Sequence, residues 1–303
     1  MAKNGDAKRI FERLMVLPDK KIKIVDYGPL WDHPERLTIN GFELVKENSK
    51  DIMEDSIKDL ADAQELLWAQ NSYSILVVLQ GMDAAGKDGI IKHVMSGVNP
   101  QGCRVNGFKS PSPEELDHDF LWRCNKVLPE RGMIGIFNRS YYEEVLVVKV
   151  HPEFLNNQRL PQEDVGKDLW EARYRSINEF ERHAVRNGTI VLKFFLNVSK
   201  EEQKKRFFER MANPEKTWKF SPNDVAERQF WDQYMKAYED ALNATSTEWA
   251  PWFIIPSDQK WLARSLVAFV LTSTIKSLNL SYPPLSKEYL KAIEDAKAKL
   301  QRE

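Results

Sequence analysis

The segment of the chain best suited to chemistry runs from Gly81 to Lys87 and reads Gly-Met-Asp-Ala-Ala-Gly-Lys. It matches the pattern G-x-x-x-x-G-K, whose glycines let backbone N–H groups curl around phosphate oxygens while the lysine reaches the outer phosphates. An apolar run precedes it and a helical pattern follows it, so a helix N-terminus adds positive charge at the same place. The alternative is an ordinary glycine-containing turn. The sequence predicts that phosphate is bound by Gly81, Ala84, Ala85, Gly86, Lys87, Asp88 and Gly89, with Lys87 also catalytic.

A magnesium site is predicted inside this loop. Asp88 stands where such loops usually have a serine or threonine whose hydroxyl binds the metal. Another group must then hold it, and Asp83 is a carboxylate of the kind that Mg²⁺ prefers. We therefore predict Mg²⁺ as cofactor, with Asp83 as metal ligand and catalytic residue. The alternative is that Asp83 only stabilises the turn by accepting backbone N–H bonds.

A second apolar run, residues 133–137, ends in Asn138 and Arg139. Ligands of open α/β sheets bind at the carboxyl ends of the strands, so residues 138–143 are expected to face the phosphate loop. A guanidinium fits phosphate with two parallel hydrogen bonds, which makes Arg139 the predicted clamp on the transferring phosphoryl group. The alternative is a surface salt bridge between Arg139 and Glu143 or Glu144.

Residues 199–225 have the pattern of a closing lid. Ser199 and Glu202 form a capping-box pattern that begins a helix, and Asn213-Pro214 interrupts the chain. Residues 200–219 hold seven Lys/Arg and four Glu, and a basic lid over phosphates excludes water. Arg206 and Arg210 are predicted to be catalytic and Lys216 to bind phosphate. The alternative is a charged helix that is simply solvated.

The elements that position these residues predict an α/β fold. Further apolar runs at 189–196 and 252–255 read as strands, and helical patterns such as 169–185 lie between the strands. This alternation predicts three layers, a parallel sheet with helices on both faces. We expect an N-terminal arm and helix at 1–70, with an extended piece at 21–27 and helical spacing at 52–67. A kinase core follows at 71–280, and a C-terminal helix at 281–303 packs on the core edge or on a partner.

Composition excludes several classes of protein. The 303 residues include 44 Lys+Arg and 45 Asp+Glu, so the formal net charge of -1 argues against a nucleic-acid coat or a polybasic membrane binder. Cys103 and Cys124 are the two cysteines, which excludes a disulfide framework or a cysteine-rich zinc site and fits the cytoplasm. No apolar run approaches the ~20 residues of a membrane helix.

Taken together, the motifs resemble the polyphosphate kinase 2 family. The resemblance rests on Gly81–Lys87, Phe108-Lys-Ser-Pro with Phe120-Leu-Trp-Arg, Phe137-Asn-Arg-Ser-Tyr-Tyr and Lys216-Thr-Trp-Lys-Phe-Ser, and it covers roughly residues 70–260. It implies a thymidylate-kinase-like P-loop fold with a five-stranded parallel sheet and a helical lid. It also implies an enzyme that moves a terminal phosphoryl group between inorganic polyphosphate and a nucleotide with Mg²⁺, as a homodimer or homotetramer.

The resemblance also assigns further residues and a subgroup. Lys109 and Arg123 carry over as phosphate-binding residues. Asn138, where some relatives have an aspartate, leaves the second metal contact open between Asn138 itself and Glu143. The segment that begins Phe-Asn-Arg-Ser-Tyr-Tyr looks most like the subgroup that accepts both nucleoside mono- and diphosphates. AMP and ADP are therefore the expected acceptors, with guanine nucleotides also used.

Two other functions remain open at this stage. An ATP-dependent kinase for a nucleoside monophosphate or another small acceptor would share the loop and the lid and differ only in its donor. A P-loop binding or switch protein would share the loop, but such proteins usually carry a base-reading motif such as Asn-Lys-x-Asp, which this sequence lacks.

Overall fold

The computed structural model describes residues 4–31, 36–161, 166 and 168–303. The strands are β1 (Met15–Val16), β2 (Thr38–Ile39), β3 (Phe42–Glu43), β4 (Ser74–Gln80), β5 (Cys103–Gly107), β6 (Ile134–Asn138), β7 (Thr189–Asn197) and β8 (Trp252–Pro256). The helices are α1 (Asn4–Leu14), α2 (Ser49–Gln70), α3 (Lys87–Val94), α4 (Pro113–Leu116), α5 (Trp122–Asn125), α6 (Val147–Val150), α7 (Leu169–Arg186), α8 (Lys200–Ala212), α9 (Pro214–Thr217), α10 (Pro222–Ala226), α11 (Trp231–Thr245), α12 (Lys260–Ser277) and α13 (Lys287–Leu300). Short 3₁₀ turns include Ile24–Asp26, Tyr141–Val145 and Glu227–Phe230.

The main sheet has the order β1-β8-β7-β4-β6-β5, and all its neighbouring pairs are parallel except β1 with β8. Helices α2, α3 and α12 pack together as one group, and α7 and α11 as another. The predicted three-layer α/β fold with five parallel strands is confirmed. The sheet gains a sixth, antiparallel strand from the N-terminal arm.

Strand register brings the functional segments to one edge of the sheet. Every residue of β4 is buried, as expected for a central strand covered on both faces. Leu79 of β4 lies beside Asn138 of β6, and Gln80 lies beside Phe195 of β7. The loop that follows β4 therefore begins next to the residue that follows β6.

The arm is built differently from the prediction. The prediction of an extended piece at 21–27 is wrong, because the chain forms a 3₁₀ turn there at Ile24–Asp26. Side chains of α11 bind its backbone: Asn243 accepts from the Ile22 N–H at 2.8 Å and donates to the Ile22 carbonyl at 3.0 Å, while Glu239 accepts from the Ile24 N–H at 3.1 Å. The arm thus docks on a helix instead of pairing as a strand in this segment. The domain bounds at residues 70 and 280 remain predictions.

The C-terminal helix α13 is present where the sequence predicts a helix, and all of its residues are exposed. Its apolar side chains Tyr289, Leu290, Ile293 and Leu300 are 41–69% exposed. Within the described parts of the chain, none of the helices combines the length and the apolar character that crossing a membrane requires.

Candidate active site

The phosphate loop joins β4 to α3 through backbone conformations that favour glycine. Gly81 has a φ of +150° and Gly86 a φ of +120°. A Cβ at Gly81 would lie 2.9 Å from the Leu196 carbonyl, so a larger residue there would push β7 away. Ala84 also has a positive φ, +60°, a conformation that residues with a Cβ adopt only where their surroundings impose it. The loop is therefore held in one shape.

Lys87 lies buried under this loop. Its ammonium donates to the Gly81 carbonyl at 2.5 Å and to the Met82 carbonyl at 3.3 Å. Burial and the charge of Arg139 lower its pKa to about 8, although Asp83, Glu143 and Asp88 act in the opposite direction. The lysine therefore keeps its charge at neutral pH in a site poor in water, where a charge acts strongly on phosphate.

Arg139 and Asp83 form an ion pair across the ends of β6 and β4. Arg139 Nη2 lies 2.6 Å from Asp83 Oδ1, and the two side chains are 39% and 28% exposed. Arg139 has a φ of +64° and donates its N–H to the Leu79 carbonyl at 3.1 Å. Burial opposes the charge on Arg139, but Glu143 and Asp83 outweigh it and raise the pKa of the guanidinium. The alternative named from the sequence was a surface bridge from Arg139 to Glu143 or Glu144, whereas the carboxylate that Arg139 pairs with is Asp83 of the loop.

Asp88, the first-turn acid of α3, connects three elements. Its Oδ1 accepts from the Asn138 amide at 3.0 Å, and its Oδ2 accepts from the Lys219 ammonium at 2.9 Å. Burial favours the neutral acid, yet the hydrogen bonds from Lys219 and Asn138 prevail and hold the pKa of Asp88 below its ordinary value. Asp88 therefore joins the end of β6 and the lid to the start of the loop's helix.

Arg206 lies on α8, within the predicted lid, and is 5% exposed. Its guanidinium donates to five protein oxygens: a Glu202 carboxylate oxygen and the carbonyls of Ala84, Ala85, Ser257 and Asp258. A side chain whose N–H groups face protein carbonyls has few left for phosphate. Arg206 thus braces the loop, and its catalytic role remains a prediction.

The lid begins as predicted, since the Ser199 hydroxyl caps α8 by accepting from the Glu202 N–H at 3.0 Å. It breaks at Pro214, the first residue of α9. Arg210 lies 3.4 Å from an Asp224 oxygen and 3.4 Å from the Lys219 carbonyl, both long for a hydrogen bond. Lys216, on α9, is exposed.

Lys109 and Arg123 lie beyond the end of β5. Lys109 is exposed, whereas Arg123 is buried and donates to the Lys109 carbonyl at 2.8 Å. Arg123 also lies 3.6 Å from a Glu115 oxygen and over the Phe108 ring. Arg123 thus supports the backbone that presents Lys109, and phosphate binding by either residue remains a prediction.

The acidic side chains near the loop suit a Mg²⁺ ion whose coordination shell is completed by phosphate oxygens and water. Across the described residues, no three His, Cys, Asp or Glu side chains converge to hold a metal. Mg²⁺ needs only one or two carboxylates when waters and phosphate oxygens complete its shell. Asp83 offers such a carboxylate, with one oxygen on Arg139. Glu143 is less suited because burial raises its pKa, although Arg139 and Lys87 oppose that shift. The Asn138 amide nitrogen is held by Asp88, which leaves its oxygen as the possible ligand.

Three residues near the loop were not predicted from the sequence as site residues. Lys219 belongs to the basic run of the lid but was not singled out. Gln203 donates to the Asp83 carbonyl at 2.9 Å, and nothing in its sequence surroundings marks it. The Arg264 guanidinium lies 3.6 Å from where a Cβ would stand at Gly89. A signal was available, since Arg264 is a charged residue in the first half of α12, a helix whose buried residues are mostly apolar.

Comparison with known proteins shows which family the chain belongs to. The family model described as Polyphosphate kinase 2 matches residues 43–282. The chain belongs to the polyphosphate kinase 2 family. An ADP-polyphosphate phosphotransferase of Rhodopseudomonas palustris is 52% identical over 246 residues, which cover 81% of this chain and 85% of the relative. An AMP/ADP-polyphosphate phosphotransferase of Meiothermus ruber is 48% identical over 224 residues, covering 74% and 80%.

Solved structures support the same assignment. The crystal structure of polyphosphate kinase 2 from Arthrobacter aurescens TC1 has a TM-score of 0.81 and 36% identity to this chain, and covers 95% of this chain and 97% of its own. The family assignment and the P-loop kinase fold predicted from the sequence are therefore confirmed, and the protein is a phosphotransferase enzyme.

Proposed function

We propose that this enzyme transfers the terminal phosphoryl group of inorganic polyphosphate to both ADP and AMP, with Mg²⁺ as its metal, and so converts AMP to ATP in two steps. The observation that carries the proposal is the Arg139–Asp83 pair beside the buried Lys87, where two neighbouring parallel strands end. Fixed positive charge at that point suits a phosphoryl group in transit.

Each residue of this group has a distinct part in the proposal. The transition state of phosphoryl transfer is loose and carries its charge on the phosphoryl oxygens, so catalysis consists chiefly of positioning and charge stabilisation. Lys87 and Arg139 stabilise those oxygens, and the loop amides hold the neighbouring phosphates. Asp83 would hold Mg²⁺, which when bound would neutralise part of the phosphate charge. The acceptor is already an anionic phosphate oxygen, so no side chain has to remove a proton.

A polyanionic donor needs a local path of positive charge. Lys109 and Lys216 are exposed, Lys219 is partly exposed, and all lie on segments that follow sheet strands or form the lid. The chain as a whole has a net charge of -1. We infer that these lysines guide polyphosphate to Lys87, although the chain as a whole carries almost no net charge.

The second part of the proposal is that the enzyme accepts AMP as well as ADP. The two relatives are named for different acceptors, ADP in one and AMP or ADP in the other, at 52% and 48% identity, so overall identity does not decide the matter. Asn138 supports the broader choice because it is neutral and adds no charge that would repel an incoming phosphate oxygen. Its amide nitrogen is bonded to Asp88 and so is held at the strand end.

The test is incubation of purified enzyme with AMP, polyphosphate and Mg²⁺, without any nucleoside triphosphate, followed by chromatography over time. We expect ADP to form first and ATP to follow. ADP that accumulates without ATP, or ATP formed from ADP but never from AMP, contradicts the use of both acceptors. Loss of product on removal of Mg²⁺ tests the metal, and parallel reactions with GMP and GDP test the expected use of guanine nucleotides.

We also propose that the enzyme is cytoplasmic and forms a homodimer or homotetramer. Cys103 and Cys124 are both free thiols, which suits the reducing cytoplasm. A homodimer or homotetramer is supported by α13, since an isolated helix of 14 residues is marginal in water and its apolar side chains are exposed in the single chain. Light scattering of the purified protein tests the assembly, and a monomer contradicts it.

A further inference from the structure

A cluster of polar side chains lies buried behind the active site. We name it the Lys193–Glu181 cluster, and its members are Lys193, Glu181, Tyr141, Tyr142 and Thr245. Lys193 Nζ lies 2.6 Å from Glu181 Oε2, and both side chains are 0% exposed. The hydroxyls of Tyr141 and Tyr142 donate to Glu181 Oε1 at 2.9 and 2.8 Å. Lys193 also donates to the Thr245 carbonyl at 2.6 Å and to the Tyr142 hydroxyl at 3.0 Å. The charges are thus fully engaged by protein groups.

The cluster joins the main structural layers to one short turn. Lys193 lies on β7 and Glu181 on α7, and Thr245 is the last residue of α11. Trp252 of β8 donates its indole N–H to the Thr245 hydroxyl at 2.9 Å. The two tyrosines open the 3₁₀ turn Tyr141–Val145, so four elements of the core hold the start of that turn.

That turn follows Arg139 after a single residue. Arg139 has a φ of +64°, a conformation that a residue with a Cβ keeps only when its neighbours impose it. Ser140 lies between, and its hydroxyl accepts from Gln80 Nε2 at 3.2 Å and from the Tyr142 N–H at 3.2 Å. The backbone of Arg139 is therefore fixed on one side by β4 and on the other by the two anchored tyrosines.

Fold stability alone does not explain a fully buried ion pair at this place. Replacing such a pair by apolar side chains of similar volume is often neutral or stabilising, because desolvation of two charges offsets their attraction. A satisfied polar network does, however, fix one arrangement of its members. We propose that the Lys193–Glu181 cluster is a positioning device that holds Arg139 against Asp83 for phosphoryl transfer. Its kinetic tests rest on the proposed function.

The first test removes one hydroxyl. Tyr142→Phe loses the bonds to Glu181 and Lys193 and keeps the ring. We expect kcat to fall about tenfold, because small misplacement of a catalytic group is costly, with the KM for polyphosphate nearly unchanged. The Tm should fall by a few degrees, because Lys193 and Glu181 each lose one buried hydrogen bond. The matched control is Tyr174→Phe, whose hydroxyl on α7 accepts from Lys149 at 3.0 Å in a separate cluster with Asp240. Its kcat should equal that of the wild type. Wild-type kcat in Tyr142→Phe overturns the proposal.

The second test separates positioning from stability. Lys193→Met alone leaves Glu181 buried without its cation and is expected to lower the Tm, whereas Glu181→Leu combined with Lys193→Met removes both charges and should restore it. We expect kcat to stay low in the double variant, since the tyrosine hydroxyls have lost their anchor. Recovery of kcat together with the Tm means that the cluster serves only the fold, and the proposal is then wrong.

A crystal structure of the double variant gives a readout that needs no activity. We expect the Arg139–Asp83 contact, 2.6 Å in the native chain, to lengthen or break as Arg139 leaves its left-handed conformation. An unchanged contact overturns the proposal. Failure of the wild-type enzyme to use polyphosphate would instead contradict the proposed function, and this structural test would still decide what the cluster does.

Discussion

The two halves of the active site are held by contacts of different quality. At the strand ends, Lys87 is buried and bonded to the Gly81 carbonyl at 2.5 Å, and Arg139 pairs with Asp83 at 2.6 Å. In the lid, Arg210 comes no nearer than 3.4 Å to its partners, and the helices α9 and α10 have only four and five residues. The strand-end half is thus preformed, and Arg206 at the start of the lid braces it. The lid from Arg210 onward rests on contacts that phosphate oxygens could replace.

This difference matches two requirements of phosphoryl transfer. Charges that stabilise the transition state must already be in place, because reorganising them during the reaction is costly. A lid must open for each substrate, so strong contacts in it would slow turnover. Gln203 and Arg206 tie the first helix of the lid to the loop, but beyond them the lid contacts α3 through Lys219, whose ammonium lies 2.9 Å from Asp88. These two side chains are 40% and 64% exposed. An exposed ion pair contributes at most about 1 kcal/mol to stability, so the Lys219–Asp88 pair holds the lid closed only weakly.

The largest effect is expected from the preformed half. Lys87→Ala should lower kcat on the order of 10³-fold, because it removes a fixed charge from the phosphoryl group, and it should leave the Tm close to that of the wild type. Steady-state kinetics and thermal unfolding measure both. The matched control is Lys92→Ala, which removes an exposed lysine from the same helix and should change neither. Near wild-type turnover in Lys87→Ala would refute the phosphate-loop assignment.

Asp83→Asn should come next, with kcat reduced on the order of 10²-fold and a higher Mg²⁺ concentration needed for half-maximal activity. The amide keeps the size of the side chain but loses the charge that holds the metal and pairs with Arg139. Titration of activity with Mg²⁺ provides the measurement, and Asp232→Asn, an exposed acid of α11, is the control. If the Asp83 variant keeps the wild-type Mg²⁺ titration, Asp83 is only a turn residue.

The pH dependence of kcat/KM examines Lys87 without a mutation. Burial and the charge of Arg139 lower the pKa of Lys87 to about 8. The lysine is charged below this pKa and loses its proton above it, so kcat/KM, which reports the free enzyme, should fall above about pH 8 by up to about tenfold per unit. An ordinary lysine would keep kcat/KM level to about pH 10, and that result would contradict a buried Lys87.

The smallest effect is expected in the lid. Lys219→Ala should raise the KM for polyphosphate only about threefold and leave kcat nearly unchanged, since an exposed ion pair contributes little. The increase should shrink at high salt, which screens exposed charges. Lys204→Ala, an exposed lysine of α8, is the control. A loss of kcat as large as that of Asp83→Asn would mean that the lid half is not the weakly held one.

The sequence predicted the parts of this site that local pattern determines. The uninterrupted apolar run of β4 and the glycine spacing of the loop require a strand and a phosphate-binding turn, whatever the rest of the chain does. The strand β5 was not foreseen, because its five residues are partly exposed and lack an apolar pattern. The extended structure predicted at 21–27 is wrong because the alternation of isoleucines there is also typical of a strand. In the structure, side chains of α11 bind the backbone of this segment instead.

Tertiary contacts decided the rest. Arg206 and Arg210 lie one turn apart on a basic helix, and only the fold shows that Arg206 faces the loop carbonyls while Arg210 faces Asp224. Lys193 could have been noticed as a lysine within an apolar strand, and Glu181 lies at helical spacing from the buried Ile177 and Ala184. Their pairing could not be inferred from either segment alone, since they come together only when α7 packs on β7.

The most direct test of this account is a donor assay. Purified enzyme is mixed with ADP, polyphosphate and Mg²⁺ in the absence of any nucleoside triphosphate, and ATP is measured with luciferase, with Lys87→Ala as the inactive reference. We predict that the wild type makes ATP in proportion to the polyphosphate supplied and that Lys87→Ala makes almost none. No ATP from the wild type, or equal ATP from both proteins, would contradict polyphosphate-dependent transfer at this loop.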